Sequence, residues 1–324
     1  MTPELFAEIV AEVALAPSVH NVQPARWRFE DGVVTLFEDL RRRVPACDPT
    51  GRDSGVSLGA AIEGMALALS VHGFGIEALN GEVPPPADMR CVQRFRVAEG
   101  AVDPLSAFVN SRYSHRGGFD KPGDTDRQAA TALTADDCAI ITAPEALETI
   151  GTHYDRASLR FFRDAEFRGE LVSWMRLDPR HPRWALDGLN AESMALSRIE
   201  AMGAGMVLGR RAFPMFDAIG LAGPMTAETS KVKGAAAVVV LHRPDDEDYL
   251  MTGRAFYRAW LRFVAAGFHG AVMAALADHA QANRALARSA GVPEGRRVVT
   301  AWRVGRTKMP PPKRARLLFD DLLV

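Results

Sequence analysis

Two mostly apolar stretches of this chain read as buried helices, and they resemble each other. One is Gly59-Ala-Ala-Ile-Glu-Gly-Met-Ala-Leu-Ala-Leu-Ser-Val-His-Gly-Phe-Gly; the other is Gly253-Arg-Ala-Phe-Tyr-Arg-Ala-Trp-Leu-Arg-Phe-Val-Ala-Ala-Gly-Phe-His-Gly. In the first, Leu58, Ala61, Ile62, Met65 and Leu69, with small residues between them, predict a buried helix over 54–72, apolar on most faces. Each stretch closes on Gly-Phe-(x)-Gly, where glycine can take the left-handed conformation that ends a helix. Two readings of the repeat are open. Buried helices resemble one another by composition, or the chain consists of two related halves.

The rest of the chain gives the pair its surroundings. Leu5, Ile9, Val10 and Val13 predict an opening helix, and Arg26–Phe29 and Val33–Phe37 alternate about Asp31-Gly32 as a hairpin. Cys91–Val97 reads as a strand with one wet face, and Cys138–Thr142 as a short strand. Pro144–Phe162 predicts a helix, and 165–220 is rich in helix formers with stops expected at Pro179, Pro182 and Pro214. Gly234–His242 predicts a buried strand, Ala277–Ala290 a helix and Arg297–Val304 a strand, before a Pro-rich and then apolar tail from Pro310.

Composition excludes several function classes. At 324 residues, 48% apolar and 24% charged, the chain can bury a sizeable core. A formal net charge of −1 offers no electrostatic case for nucleic acid or an anionic membrane as general partner. The three cysteines, Cys47, Cys91 and Cys138, are far apart and show neither a disulfide framework nor zinc-ligand spacing. No metal site is expected. With no basic, apolar leader and no apolar run of spanning length, a cytoplasmic protein is expected.

Between the opening helix and the hairpin runs Ala16-Pro17-Ser18-Val19-His20-Asn21-Val22-Gln23-Pro24-Ala25-Arg26-Trp27. Proline fixes φ at both ends, and Ser18, Asn21 and Gln23 offer aimed polar groups between them. Pro17-Ser18-x-x-Asn21-x-Gln23-Pro24 resembles the PSxxNxQPW signature of the FMN-dependent nitroreductase superfamily, with Ala25 where the tryptophan stands and Trp27 two residues on. In that family the loop cradles the FMN phosphate and ribityl chain across a dimer interface. The resemblance implies an α+β fold with two related halves, 1–104 and 105–324, each a mostly antiparallel sheet flanked by helices. The two would be fused as a pseudo-dimer in one polypeptide. The closest likeness is to the Acg-like subgroup, through Ala16–Asn21, Gly51–Ala61, Asp187-Gly188-Leu189 and Gly253–Leu261.

The family's RxSxR motif is matched by Arg112-Tyr113-Ser114-His115-Arg116 in the second half, which has no copy of the PSxxN loop. The first half has the loop without the motif. The resemblance therefore implies one composite site, one FMN per chain, and a monomer. Apart from the family, Arg112, Ser114 and Arg116 at alternate positions of an extended segment would point one way, with the guanidiniums and hydroxyl that a phosphate requires. Pro312-Lys313-Arg314-Ala315-Arg316 resembles the family's terminal basic motif, so Arg314 and Arg316 are expected at the phosphate. Lys231 resembles a family lysine near flavin N1 and O2, although a surface lysine at a strand entry reads equally well. Gly270–Ala275, with Met273 and Ala274 at its centre, occupies the place where a backbone N–H meets flavin N5.

No side chain reads as a dedicated acid, base or nucleophile, so the hydride chemistry would belong to the flavin. The family implies reduction of a small conjugated or nitroaromatic acceptor at the expense of NAD(P)H. Two alternatives stand beside it. One is a flavin-sequestering protein whose lid, expected within 164–220 and bearing Trp174, Met175, Trp184 and Met194, covers the cofactor. The other is an oxygen-using, flavin-modifying member.

Overall fold

The computed structural model describes residues 1–324. Helix α1 (Pro3–Val13), capped by the Thr2 hydroxyl, leads through the Pro17 loop into the antiparallel hairpin β1 (Ala25–Glu30) and β2 (Val33–Asp39). Asp31 and Gly32 both take positive φ, 51° and 75°, which gives the turn the twist a tight hairpin needs. Helix α2 (Arg52–Val71) follows, then β3 (Phe74–Leu79) and β4 (Met89–Glu99). The four strands form an antiparallel sheet in the order β1-β2-β4-β3.

The second half repeats this plan around a longer insertion. Helix α3 (Asp124–Thr131) precedes β5 (Cys138–Ile141). Then come helices α4 (Pro144–Arg163) and α5 (Ala165–Ser173), and the short parallel pair β6 (Met175–Arg176) and β7 (Leu189–Asn190). Four small helices follow: α6 (Arg198–Val207), α7 (Ala212–Ala218), α8 (Ala222–Thr226) and α9 (Thr229–Lys233). Strand β8 (Ala237–Pro244), helix α10 (Tyr249–Ala265), β9 (His269–Val272), α11 (Ala275–Asp278), α12 (Ala280–Ala290) and β10 (Arg296–Gly305) complete it. Its antiparallel sheet runs β5-β8-β10-β9, so the strand orders correspond element by element, with α2 and α10 in equivalent places.

These two helices pack on each other at Gly59 and Gly253. A Cβ on either glycine would lie 2.9 Å from the Cα of the other, and each would also run into a backbone carbonyl of the opposite helix, that of Leu250 or of Val56. The contact is reciprocal, and only hydrogen side chains permit it. Gly73 and Gly267 end the two helices in the left-handed conformation, at φ 76° and 79°. Helix α2 is long and apolar enough to cross a membrane by composition, but most of it is enclosed by protein.

The tail returns from the second half to the first. Leu317 and Leu322 enter the core made by α1, α2 and the first sheet. The Trp27 N–H donates to the Leu322 carbonyl at 2.8 Å and the Val324 N–H to the Trp27 carbonyl at 3.1 Å, covering the open edge of β1. Three details differ from the sequence expectations. Strand β3 begins directly after the helix-ending Gly73, and β9 follows Gly267 with one residue between. Helix α10 starts at Tyr249, capped by Asp248, rather than at Gly253. Pro214 lies in the first turn of α7, where its missing N–H has no intrahelical partner to lose, so it starts a helix instead of stopping one.

The helix crossing should tolerate no side chain. Gly59→Val and Gly253→Val should each lower unfolding stability by about 3 kcal/mol or more, since the clash is with backbone that cannot rotate away. Gly203→Ala, on exposed helix with open space around its Cα, should not lower it. Denaturant unfolding checks both.

Candidate functional site

The Pro17 loop is held in an unusual conformation. His20, Asn21 and Gln23 all adopt positive φ, 44°, 57° and 52°, a costly arrangement for residues with side chains. What holds them is a weave of three segments. The Asn21 amide donates to the carbonyls of Gly188 and Ala315, both at 3.1 Å, and its oxygen accepts from Arg316 at 2.9 Å. Gln23 donates to the Leu186 carbonyl at 2.9 Å and accepts from the Leu317 N–H at 3.0 Å. Loop, insertion and tail are thus locked together, with both donor positions of the Asn21 amide engaged. The Ser18 hydroxyl accepts from the Gln23 N–H at 3.0 Å and can still donate.

The Arg112–Arg116 segment runs along the edge of β9, with the His115 N–H on the Gly270 carbonyl at 2.8 Å. Arg112, Ser114 and Arg116 all line the same cleft as Pro17, Ser18, Asn21, Arg314 and Arg316. Sequence reasoning missed the residue that fixes this segment. Arg303, buried on β10, donates to the carbonyls of Arg116 and Gly117 at 2.8 and 2.9 Å. The signal for it is an arginine set between Trp302 and Val304 in a strand.

The electrostatics of the cleft set it apart from the rest of the molecule. Elsewhere buried carboxylates gather arginines: Glu38 holds Arg43 and Arg90, Glu63 holds Arg254 and Arg258, and Asp187 holds Arg42, Arg176 and Arg183. In the cleft Arg112 bonds to the Leu15 carbonyl at 2.7 Å and Arg116 to the Ser193 carbonyl at 2.9 Å. Arg314 bonds to the Asn110 and Arg112 carbonyls, and Arg316 to Asn21 and to the Ala315 and Leu15 carbonyls. Every acceptor is neutral. The Nε atoms of Arg112 and Arg316 have no partner at all. Burial, compounded by Arg112 and Arg314, pushes Arg316 down to about 9, and burial lowers Arg112, Arg116 and Arg314 as well. Positive charge without compensation is costly in this setting, and an anion would relieve it.

The cleft opens into a second compartment of about 290 Å³, which shares Pro17, Ser18, Ser114, Arg116 and Leu189 with the basic one. Its walls are largely apolar: Val56 on α2, Phe256 and Trp260 on α10, Val272, Ala274 and Ala275 at the end of β9, and Val299 on β10. Phe161 and Phe162 of α4 line it as well, joined by Phe167 and Leu171 of α5 and Met194 from the insertion. His20 faces it too, its imidazole pushed down to about 4 by burial and the Arg116 charge and therefore neutral near pH 7. A planar aromatic group joined to an anion by a short polar chain would match the two compartments in order.

Two of the residues singled out in the sequence stand apart from the cleft. Lys231, on α9, is ion-paired to Glu228 at 2.7 Å and lines neither compartment. The Met273 side chain is buried in the second-half core, and its N–H donates to the Ala301 carbonyl at 2.8 Å. Of Trp174, Met175, Trp184 and Met194, Met194 lines the apolar compartment. Trp174 is instead flanked by Arg42 and Arg176, whose guanidinium carbons lie 5.6 and 5.5 Å from its ring. Trp184 carries the Lys313 ammonium 5.4 Å from its ring.

No family model matches the chain. It is 29% identical over 190 residues to the Mycobacterium tuberculosis protein named "Putative NAD(P)H nitroreductase acg", covering 54% of this chain and 55% of that one. A second protein of that organism, also named an NAD(P)H nitroreductase of putative status, is 30% identical over 181 residues, covering 53% and 51%. The alignments thus span about half the length of these relatives. Among solved structures, the FMN and NADPH-dependent nitroreductase NfnB from Sphigopyxis sp. strain HMH is 14% identical, with a TM-score of 0.36 over 68% of this chain and 97% of that one. NfnB from Mycobacterium smegmatis, in complex with NADPH, is 14% identical, with a TM-score of 0.35 over 63% and 88%. In sequence, the chain is related to the Acg-like nitroreductases.

Proposed function

We propose that the cleft binds one FMN and that the chain is an FMN-dependent oxidoreductase, passing a hydride from NAD(P)H to a small conjugated or nitroaromatic acceptor. The observation that carries this reading is the convergence of Arg112, Arg116, Arg314 and Arg316 on neutral acceptors alone, beside an apolar compartment. The four guanidiniums would hold the phosphate, with the Ser18 and Ser114 hydroxyls beside them. The ring would lie among Val56, Trp260 and Ala274. Since Met273 gives its N–H to Ala301, a backbone donor toward the ring would come from Ala274 or Ala275, whose methyl side chains allow close approach.

Bound FMN supplies the hydride chemistry; the protein fixes its position and shields it from water. We read 1–104 and 105–324 as the halves of one internal pseudo-dimer, a reading supported by the matched strand orders and the reciprocal Gly59–Gly253 contact. A chain that supplies both sides of its own site needs no partner subunit, so it acts as a monomer. A cytoplasmic location, where NAD(P)H is available, accompanies this reading. Flavin sequestration is the second reading. The observation favouring it is the wall of Phe167, Leu171 and Met194 that the insertion places along the apolar compartment.

Anaerobic mixing of the FMN-loaded protein with NADPH or NADH separates the two readings. Rapid bleaching of the flavin is expected. A flavin that both nucleotides leave oxidised, but dithionite bleaches, would overturn the reductase in favour of sequestration. Arg112→Ala and Arg116→Ala should each weaken FMN retention by about 1.5–3 kcal/mol per charged hydrogen bond lost, measured by equilibrium dialysis. Inorganic phosphate should raise the melting temperature of FMN-free protein beyond what chloride of equal ionic strength does. At 100 times its dissociation constant it would add about 2.7 kcal/mol. Arg316→Gln should blunt that response.

A further inference from the structure

Two carboxylates that line the apolar compartment meet on a single guanidinium. Arg52 and Asp53 occupy the first turn of α2, and Asp278 ends α11. One nitrogen of Arg52, Nη2, donates to Asp53 Oδ1 at 2.8 Å and also to Asp278 Oδ1. The Asp278 N–H bonds back to the Ala274 carbonyl at 3.0 Å, so Asp278 sits one turn beyond the residue assigned above to the ring. Each of the two carboxylates keeps about a fifth of its side chain open, toward the cavity. Nothing in the flavin reading uses this group.

We propose that the Asp53–Asp278 pair on Arg52 is the proton donor of the reaction, with Asp278 delivering the proton to the acceptor. This rests on the FMN-dependent reductase reading. The acceptor takes a hydride, with its electron pair, from the reduced flavin and one proton from the Asp278 carboxyl. With a nitroarene the products are the nitroso compound and water. Asp278 is left as a carboxylate on Arg52 and is reprotonated by solvent.

The surroundings suit a shared proton. Burial and the Asp53 charge push Asp278 up to about 7 against the pull of Arg52, and burial raises Asp53 as well. The other groups facing the pair add no cation. Asp48 caps the Ser54 N–H at 2.8 Å, and Glu170 accepts from the Cys47 N–H at 2.7 Å. The Cys47 thiol is held protonated by burial and by Glu170. His279 turns away to the Ala282 N–H and the edge of Phe161. Two carboxylates on one cation, in a largely apolar cavity, cannot both ionise cheaply near neutral pH.

The acid form acts, so the rate should be flat below the pair's apparent pKa and fall about tenfold per pH unit above it. The test follows reoxidation of dithionite-reduced, FMN-loaded protein by p-dinitrobenzene in a stopped-flow instrument from pH 5 to 9. Asp278→Asn should slow reoxidation about 100-fold at pH 6 and remove the break in the profile. Asp53→Asn, which keeps Asp278 but deletes the like charge, should move the break to lower pH. Isotope-edited infrared spectra of the FMN-free protein should show an aspartic acid band titrating near neutral pH that Asp278→Asn abolishes. FMN retention by both variants certifies their folding. An FMN-loaded Asp278→Asn that reoxidises at the wild-type rate with the wild-type profile would overturn the proton donor and leave the flavin reading standing. A wild-type chain that takes up no FMN would overturn both.

Discussion

The closest approach of backbone to backbone in the core is the crossing of α2 and α10 at Gly59 and Gly253, and the cleft depends on it. The first turns of α2 bring Arg52, Asp53 and Val56 to the apolar compartment, while α10 brings Phe256 and Trp260 to its other side. A wider crossing would part these walls. The same contact explains why α2 is apolar on nearly all sides, with its own sheet on one flank and α10 on the next. Helix α10 keeps a charged stripe of Arg254, Arg258 and Arg262. The tail then ties the halves by crossing from the second sheet to the first and lending Leu317 and Leu322 to the first core.

Charge is handled in two ways in this molecule. Where arginines serve architecture, acids are placed among them: Glu38, Glu63 and Asp187 each meet two or more. Where the Pro17 loop, the Arg112 segment and the tail converge, the acceptors are all uncharged, and the three strained residues of the loop lie at the same spot. Uncompensated charge and stored backbone strain together mark a place built for something the chain does not itself contain. Elsewhere in the wall of the apolar compartment the balance reverses, with two carboxylates on Arg52.

Much of the architecture was legible because it rests on local rules. The hairpin follows from Asp31-Gly32, the buried helices from their composition, and the convergence of Arg112, Ser114 and Arg116 from simple alternation. Strands β3 and β9 were not legible, because the glycine that ends each helix leaves at most one loop residue to announce the strand that follows. Asn21 was legible as a site residue but not in its role. Its partners, Gly188 and Ala315, are distant in sequence, and only the fold shows that it clasps segments together. Lys231 pairs with Glu228 and lines neither compartment, a placement that its position ahead of a strand does not reveal. The phenylalanines of α4 and α5 and the Asp53–Asp278 pair gave no local signal. Each acts through residues that only tertiary packing brings near.

The central claim is a single composite flavin site made by both halves of one chain. Its most direct test is the number of FMN molecules bound per polypeptide, measured by titrating FMN-free protein and following flavin fluorescence. One per chain, falling toward none when Arg112 and Arg116 are both replaced by alanine, is the predicted result. Two per chain would mean that each half holds a flavin of its own, and none would mean that the unpaired arginines await a different anion. Either would contradict the account.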